Sequence, residues 1–598
     1  METLYSLPLL HVVYNGAAIV QATAVLLLAS SLYLFYTVVV RPRHNLETIP
    51  HPPVTSIFLG NLDRIIAEPP GVPHKEWARQ YPGVFKYRGF LGEDRLCLTD
   101  PVALSHILLQ NGYRYPKPNE VRGNLSRILG RGLLFAEGDD HRRQKRIMNP
   151  AFSPSTLRDL LPTFFESSYK LRDRWTALID TAESDATSFS SSEKADEYAK
   201  SHEEGEVMLE VTKWLSRLTL DIIGMAGFGY DFGALSGQKN ELGEAFQLML
   251  SGGGAIQKTI PLSQIVIGRI LGRLATALPI VNVAKYIPNK RVQAVRKGFE
   301  TMDSESRKIV EEKKRELEKD GGAAALGGGK DLMTLLLKSN LGEAKAKMSD
   351  AELQGQMTTF ILAGHETTST ALTWLLHHLS LRPEMQSKLR REIREARAHA
   401  TAEHGRQELN TDDLNGLAYL DAVCREVLRF EPPVSLTIRS ASEDDSIPLG
   451  TPVTATNGKM ISSVEVKKGQ VLVVSIAAIN TNPDVFGDDA EEFKPERWLV
   501  KEGEQGSITG NTGVYSNMMT FLAGPRACIG YRFSLLELKA IASVLLDSFS
   551  FSPRDADGMA SKIERRSQIV TRPLIIDEEH LGHRMPLRVR VSDREGEE

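Results

Sequence analysis

The sequence predicts a mainly α fold of the α+β class: one helix-rich domain with small β-sheets, behind an N-terminal transmembrane helix. Three observations predict it. Residues Ala17–Val40, "AAIVQATAVLLLASSLYLFYTVVV", carry no charge over 24 positions. Helical spacing dominates from Leu104 to about Ile179 and again from Ser349 through more than 30 residues. The strand-like stretches are few, short and alternating: "GVFKYRGF", "DRLCLTD", "QVLVVSI" and "MPLRVRV". No repeat of fixed period is present, which argues against a solenoid or propeller.

Taken in order, Ala17–Val40 as a helix would reach about 36 Å, enough to cross a bilayer core of about 30 Å. Arg41, Arg43 and His44 follow it, and Glu2 is the only charged side chain before it. The positive-inside rule therefore predicts a single-pass anchor with the rest of the protein in the cytosol. Residues 1–40 form the anchor (transmembrane about 17–40). Residues 41–54, with the prolines of "IPHPPV", form a stiff hinge. Residues 55–598 form the globular domain. Within it, "AESDATSFSSSEKADEYAKSHEEGE" (182–206) reads as a solvated insertion, and "SGGGAIQK" and "DGGAAALGGGK" as flexible connections. "WLSRLTLDIIGMAGFG" is a helix that ends at glycines, and Ser349 is an N-cap.

A net charge of −4 and a pI near 6.4 give no sign of a nucleic-acid binder. The three cysteines, Cys97, Cys424 and Cys528, are too few and too scattered for a disulfide framework, and no paired spacing suits zinc.

Cys528 lies in "FLAGPRACIG", just before the helical "YRFSLLELKAIASVLL". A buried packing thiol, a nucleophile and a metal ligand are all open readings of one such cysteine. A helix N-terminus favours its thiolate. With Phe521, Gly524, Arg526 and Gly530 it forms FxxGxRxCxG, which resembles the haem-binding loop of the cytochrome P450 family. "AGHETT" (363–368), inside the long apolar helix, resembles that family's oxygen-activation motif. Gly364 beside the Thr pair predicts a local opening of the helix there. "CREVLRF" supplies Glu426 and Arg429 as ExxR, and "FKPERW" supplies Arg497.

Four motifs in this order identify the chain as a member of the family over about residues 50–594. The resemblance implies a cytochrome P450 fold and haem b (iron protoporphyrin IX), with Cys528 as axial thiolate and metal ligand. It makes Glu366 and Thr367 the catalytic proton relay, and Glu426, Arg429 and Arg497 a structural cluster. Arg439 and Arg526 become partners of the haem propionates. His141 and Lys145 stand where the family usually carries Trp and Arg nine and five residues before a proline, here Pro150, and are further propionate candidates.

The implied activity is a monooxygenase that inserts one atom of O₂ into a lipophilic substrate at the endoplasmic reticulum membrane. Electrons come from NADPH–cytochrome P450 reductase, with cytochrome b5 as an optional second donor. "GYDFGALSG" is not a dinucleotide loop, so no reductase is fused to the chain. An O₂-independent isomerase or dehydratase, and a haem sensor without turnover, are the alternatives. Pro116–Ser126, Phe360, Ala363, Val434–Ile438 and Gln568–Thr571 are the expected pocket lining.

Overall fold

The computed structural model describes residues 46–184, 198–200, 205–237, 290–319, 331–340, 347–500, 513–554, 563–567 and 570–592, with scattered positions in 21–32. Most of Ala17–Val40, the expected anchor, lies outside them. Gln21, Ala24, Val25, Leu28, Ala29, Ser31 and Leu32 are helical and exposed. Among the described residues no helix is long and apolar enough to cross a membrane.

Among the described helices, six matter most for the site: α1 (Gly138–Met148), α2 (Pro154–Ser184), α3 (Val211–Phe228), α4 (Asp350–Ser380), α5 (Ala418–Phe430) and α6 (Tyr531–Ser548). The central one is α4. Ser349 caps it as expected: its hydroxyl accepts from the Glu352 N–H, and the Glu352 carboxylate accepts from the Ser349 N–H. From Leu353 to Ser380 nearly every side chain is buried, so this helix is covered on all sides and crosses the middle of the domain. α3 and α6 pack on it.

The expected opening at Gly364 is absent, because α4 is helical without a break from Asp350 to Ser380. The Thr367 hydroxyl donates to the Ala363 carbonyl at 2.6 Å, the i−4 bond that a helix accommodates without opening. Gly364 instead permits close packing, since a Cβ there would sit 3.0 Å from Ile223 of α3.

The sheets are small and peripheral. One has the order β1 (Val84–Arg88), β2 (Asp94–Leu98), β8 (Val471–Val474), β5 (Thr437–Ser440), with only the β2–β8 pair parallel. A second has the order β3 (Tyr198–Lys200), β4 (Glu206–Glu210), β12 (Pro586–Val591), β9 (Phe549–Pro553). This sheet corrects the reading of 182–206 as wholly solvated. Tyr198–Lys200 pair with β4, whose Val207 and Leu209 are fully buried, so the end of the polar stretch is recruited as an edge strand. Two hairpins complete the set, β6–β7 (Asp445–Thr454, Met460–Val466) and β10–β11 (Ile563–Ser567, Thr571–Ile575).

Candidate active site

Cys528 precedes α6 by three residues, and its N–H donates to the Phe521 carbonyl at 2.9 Å, closing the loop. Gly524 is demanded by the fold itself: its φ is +67°, and a Cβ would meet the Leu108 carbonyl oxygen at 2.1 Å. Gly530 is under no such demand; its nearest protein atom, on Phe152, would lie at 3.5 Å. Phe521 is buried between Tyr515 and Tyr531, each ring centroid 6.0 Å away.

The Cys528 side chain is accessible to a water-sized sphere, yet protein surrounds it closely enough for burial to push its thiol up. Together these facts place the sulfur on the wall of an interior recess. Burial outweighs the Gly530 N–H and the Lys145 charge, which pull the other way. Ala363, in the middle of buried α4, is likewise exposed, and Thr367 is half-buried where Thr368 is buried. α4 and α6 are tied beside these residues by a 3.2 Å hydrogen bond between the Thr368 and Ser534 hydroxyls.

The Glu366 carboxylate is 2% exposed and doubly held. Arg572 of β11 forms an ion pair with it, and His365 Nε2 lies 3.0 Å away. Burial alone would raise its pKa, but His365 and Arg572 prevail and hold it at about 2. A histidine inside the motif and an arginine 206 residues away, which the motif could not announce, thus keep this carboxyl ionised.

A second group of charges comes from four separate segments. Arg439 on β5 is 3% exposed; its Nη1 donates to the Thr437 hydroxyl at 2.7 Å and the Ile438 carbonyl at 2.9 Å, and its Nε has no partner. Burial first, then Arg526, lowers its pKa to about 10. Arg526 donates from Nε to the Gly112 carbonyl at 3.0 Å and pairs through Nη2 with Glu137, while Nη1 has no partner. Lys117 pairs with Glu137 at 2.8 Å, and burial lowers it to about 8. His141, 4% exposed, meets the Tyr113 hydroxyl at 3.1 Å through Nδ1. Burial, Arg526, Lys117 and Lys145 push it down to about 3, so it is a neutral donor. Among the described residues one carboxylate, Glu137, faces three buried or half-buried cations, and two guanidinium nitrogens lack acceptors.

Such an excess of buried positive charge calls for an anion. Two carboxylates on a porphyrin edge meet that need, and Cys528 supplies a sulfur ligand in the same loop as Arg526, so these residues fit haem. Glu137 escaped the sequence reading, and Lys117 entered it only within the expected lining Pro116–Ser126, because only a fold brings Glu137 to Arg526, 389 residues on. The one local hint was Lys117 standing between Pro116 and Pro118.

Lys145 is placed differently. Its Nζ donates to the Pro525 carbonyl at 2.7 Å and the Ala527 carbonyl at 3.2 Å. Of the basic residues around it, Arg143 is spent on Glu352 and Arg142 pairs with Asp139.

Glu426, Arg429 and Arg497 come together as the motifs implied. Arg429, wholly buried, binds Glu426 through two bonds of 2.9 and 2.7 Å, and Arg497 Nε reaches Glu426 at 3.1 Å. The Lys494 N–H and Trp498 Nε1 fill the remaining acceptor sites of Glu426 at 2.8 and 2.9 Å. Arg497 also pairs with Asp489 at 2.7 Å. Of the expected pocket lining, Phe360 is nearly buried at 6% exposure and Val434 is 38% exposed. Gln568 and Ile569 lie outside the described residues.

Fold and site together define a helix-rich protein with an accessible cysteine sulfur and, from the same loop, an arginine of a buried cationic cluster, the arrangement of a haem-thiolate enzyme. Comparison with known proteins is specific on this point. The family model for cytochrome P450 matches residues 50–577. The cytochrome P450 monooxygenase 205 of Postia placenta is 37% identical, the alignment covering 91% of this chain and 93% of that protein. The cytochrome P450 monooxygenase claQ of Ampulloclitocybe clavipes is 35% identical over 90% and 91%. The ganoderic acid synthetase of Ganoderma lucidum is 35% identical over 88% and 91%. The chain belongs to the cytochrome P450 family, a family of oxidoreductases whose members bind haem b through a thiolate and whose monooxygenases use a redox partner, O₂ and a lipophilic substrate.

Proposed function

We propose that this chain is a membrane-anchored monooxygenase that oxidises a lipophilic small molecule with electrons from an NADPH-dependent reductase. Cys528 on the recess wall, beside more buried cations than Glu137 alone can neutralise, is the observation that carries the reading. Cys528 would hold the iron, while Arg439, Arg526, Lys117 and His141 would receive the propionates. When bound, the haem supplies the iron at which O₂ is activated, and thiolate donation favours O–O cleavage.

The chain's own residues do the rest. The Thr367 hydroxyl keeps its proton on the Ala363 carbonyl, so its lone pairs remain for hydrogen bonds from the recess. Glu366 is a carboxylate at neutral pH, and it takes up a proton only when Arg572 and His365 loosen their hold on it. Arg572 ties that carboxylate to the β10–β11 hairpin, whose tip is expected to line the pocket. Glu426, Arg429 and Arg497 hold the core beneath the Cys528 loop. The apolar Ala17–Val40 and the arginines after it support a single-pass anchor in the endoplasmic reticulum membrane with residues 55–598 in the cytosol. Such an anchor suits a substrate that partitions into lipid. The apolar Val434, Leu436 and Ile438 of the expected lining make terpenoids, steroids and fatty acids the first classes to screen.

Full-length protein in vesicles with NADPH–cytochrome P450 reductase tests the proposal. A terpenoid, steroid and fatty-acid panel is screened for spin-state shifts, and each binder for NADPH- and O₂-dependent product. Binders that shift the spectrum but give no product and consume no NADPH would overturn it in favour of a haem sensor. Turnover of a hydroperoxide without NADPH would instead establish an isomerase.

A further inference from the structure

We infer that Lys145 is a positioning residue for the Cys528 sulfur and not a partner of a haem propionate. This rests on the haem-thiolate reading above. Helix α1 carries a lysine where the family pattern has an arginine, and the structure spends it on the loop's own carbonyls. Two of the three ammonium donors are committed, to the carbonyls of Pro525 and Ala527. The Ala527 carbonyl belongs to the peptide unit whose N–H is that of Cys528. Polarising this carbonyl strengthens the Cys528 N–H as donor to the Phe521 carbonyl, the 2.9 Å bond that closes the loop.

A lysine suits this task better than an arginine. Its three rotatable donors can cap two divergent carbonyls, whereas a planar fork is built for one planar anion. The propionate side already has Arg439, Arg526 and Lys117, with unpartnered nitrogens on the two arginines. Lys145 and Cys528 also feel each other's charge, as expected of an ammonium fixed beside the loop. Its work is to hold the sulfur's backbone in register and to offset the sulfur's negative charge.

The test uses the haem-loaded enzyme. K145M removes the donors at nearly constant length, K145Q serves should K145M fail to fold, K145R keeps the charge, and K117M is the contrast on the propionate side. Three quantities are read: the stability of the long-wavelength band of the reduced carbonyl complex, the reduction potential, and the rate of haem transfer to apomyoglobin. For K145M or K145Q the band should decay several-fold faster and the potential should fall, with haem transfer unchanged. K145R, which keeps the charge but not the divergent donors, should restore the potential and only part of the band's stability. K117M should speed haem transfer several-fold and leave the band intact. Faster haem transfer with a stable band in K145M or K145Q would return Lys145 to the propionates and overturn the inference, as would an unchanged band and potential. A parent enzyme that never shows the long-wavelength band would refute the haem-thiolate reading instead.

Discussion

Two buried charge clusters in this molecule differ in one respect. Around Glu426, two carboxylates meet two guanidiniums, and every oxygen of Glu426 is filled from within the chain. Around Glu137, three cations share one carboxylate, and nitrogens of Arg439 and Arg526 have no acceptor. The first cluster is closed: it needs nothing more and serves the fold. The second is open, and its imbalance is tolerable only because an anion is to be bound there. The difference separates structural from ligand-holding arginines without reference to any motif.

Breaking the closed cluster should have the largest effect. E426Q or R429A leaves a buried charge unpaired, at a cost of about 3–5 kcal/mol, and should abolish haem incorporation and soluble expression. R429K should fail nearly as badly, since lysine cannot form the two-bond fork with Glu426. A urea-denaturation midpoint close to the parent's in either case would show that the cluster is not what holds the core.

The open cluster should respond in the opposite sense. R439L removes a buried cation that lacks a counter-ion, so the haem-free protein should unfold at an equal or higher urea concentration. The loaded protein should lose haem to apomyoglobin several-fold faster. If R439L destabilises the haem-free chain as R429A does, the distinction between the clusters fails.

A smaller effect belongs to the recess itself. T367A leaves both clusters intact, so the carbonyl spectrum should persist while hydrogen peroxide formed per NADPH rises several-fold. Unchanged coupling would remove Thr367 from the proton path.

The smallest effect sharpens the comparison with a third kind of group. Glu537 on α6 is wholly buried without a charged partner among the described residues, and burial raises it to about 8 against the Thr368 hydroxyl, which pulls the other way. Between its unfolded value near 4.5 and that value, the folded protein holds a proton that the unfolded chain has released. Stability should therefore fall as pH rises across this window. E537Q should flatten the decline in urea midpoint between pH 6 and 8, and parallel curves would show that Glu537 ionises freely.

What could be read from the sequence follows from the range of each interaction. The capped start of α4, the Gly229 stop of α3 and the Cys528 loop are written within a few residues, and the structure shows them as expected. Glu426, Arg429 and Arg497 were legible because their spacing is a pattern. The pairs Arg572–Glu366 and Arg526–Glu137 were not, because nothing local marks which distant charges will meet. Lys145 was legible as a position but not as a role. Its side chain could turn toward a propionate or toward the loop, and only the fold brought the Pro525 and Ala527 carbonyls within reach. The unbroken α4 had a similar cause. Gly364 reads as a weak point in a lone helix, but Ile223 of α3 packs against it.

The central claim is that Cys528 binds haem iron as a thiolate, and the reduced carbon monoxide difference spectrum tests it most directly. The parent protein should show the long-wavelength Soret band of thiolate ligation, and C528S should lose it while C424S, a change at a buried thiol of α5, keeps it. A C528S protein that retains the band at full intensity would contradict the account.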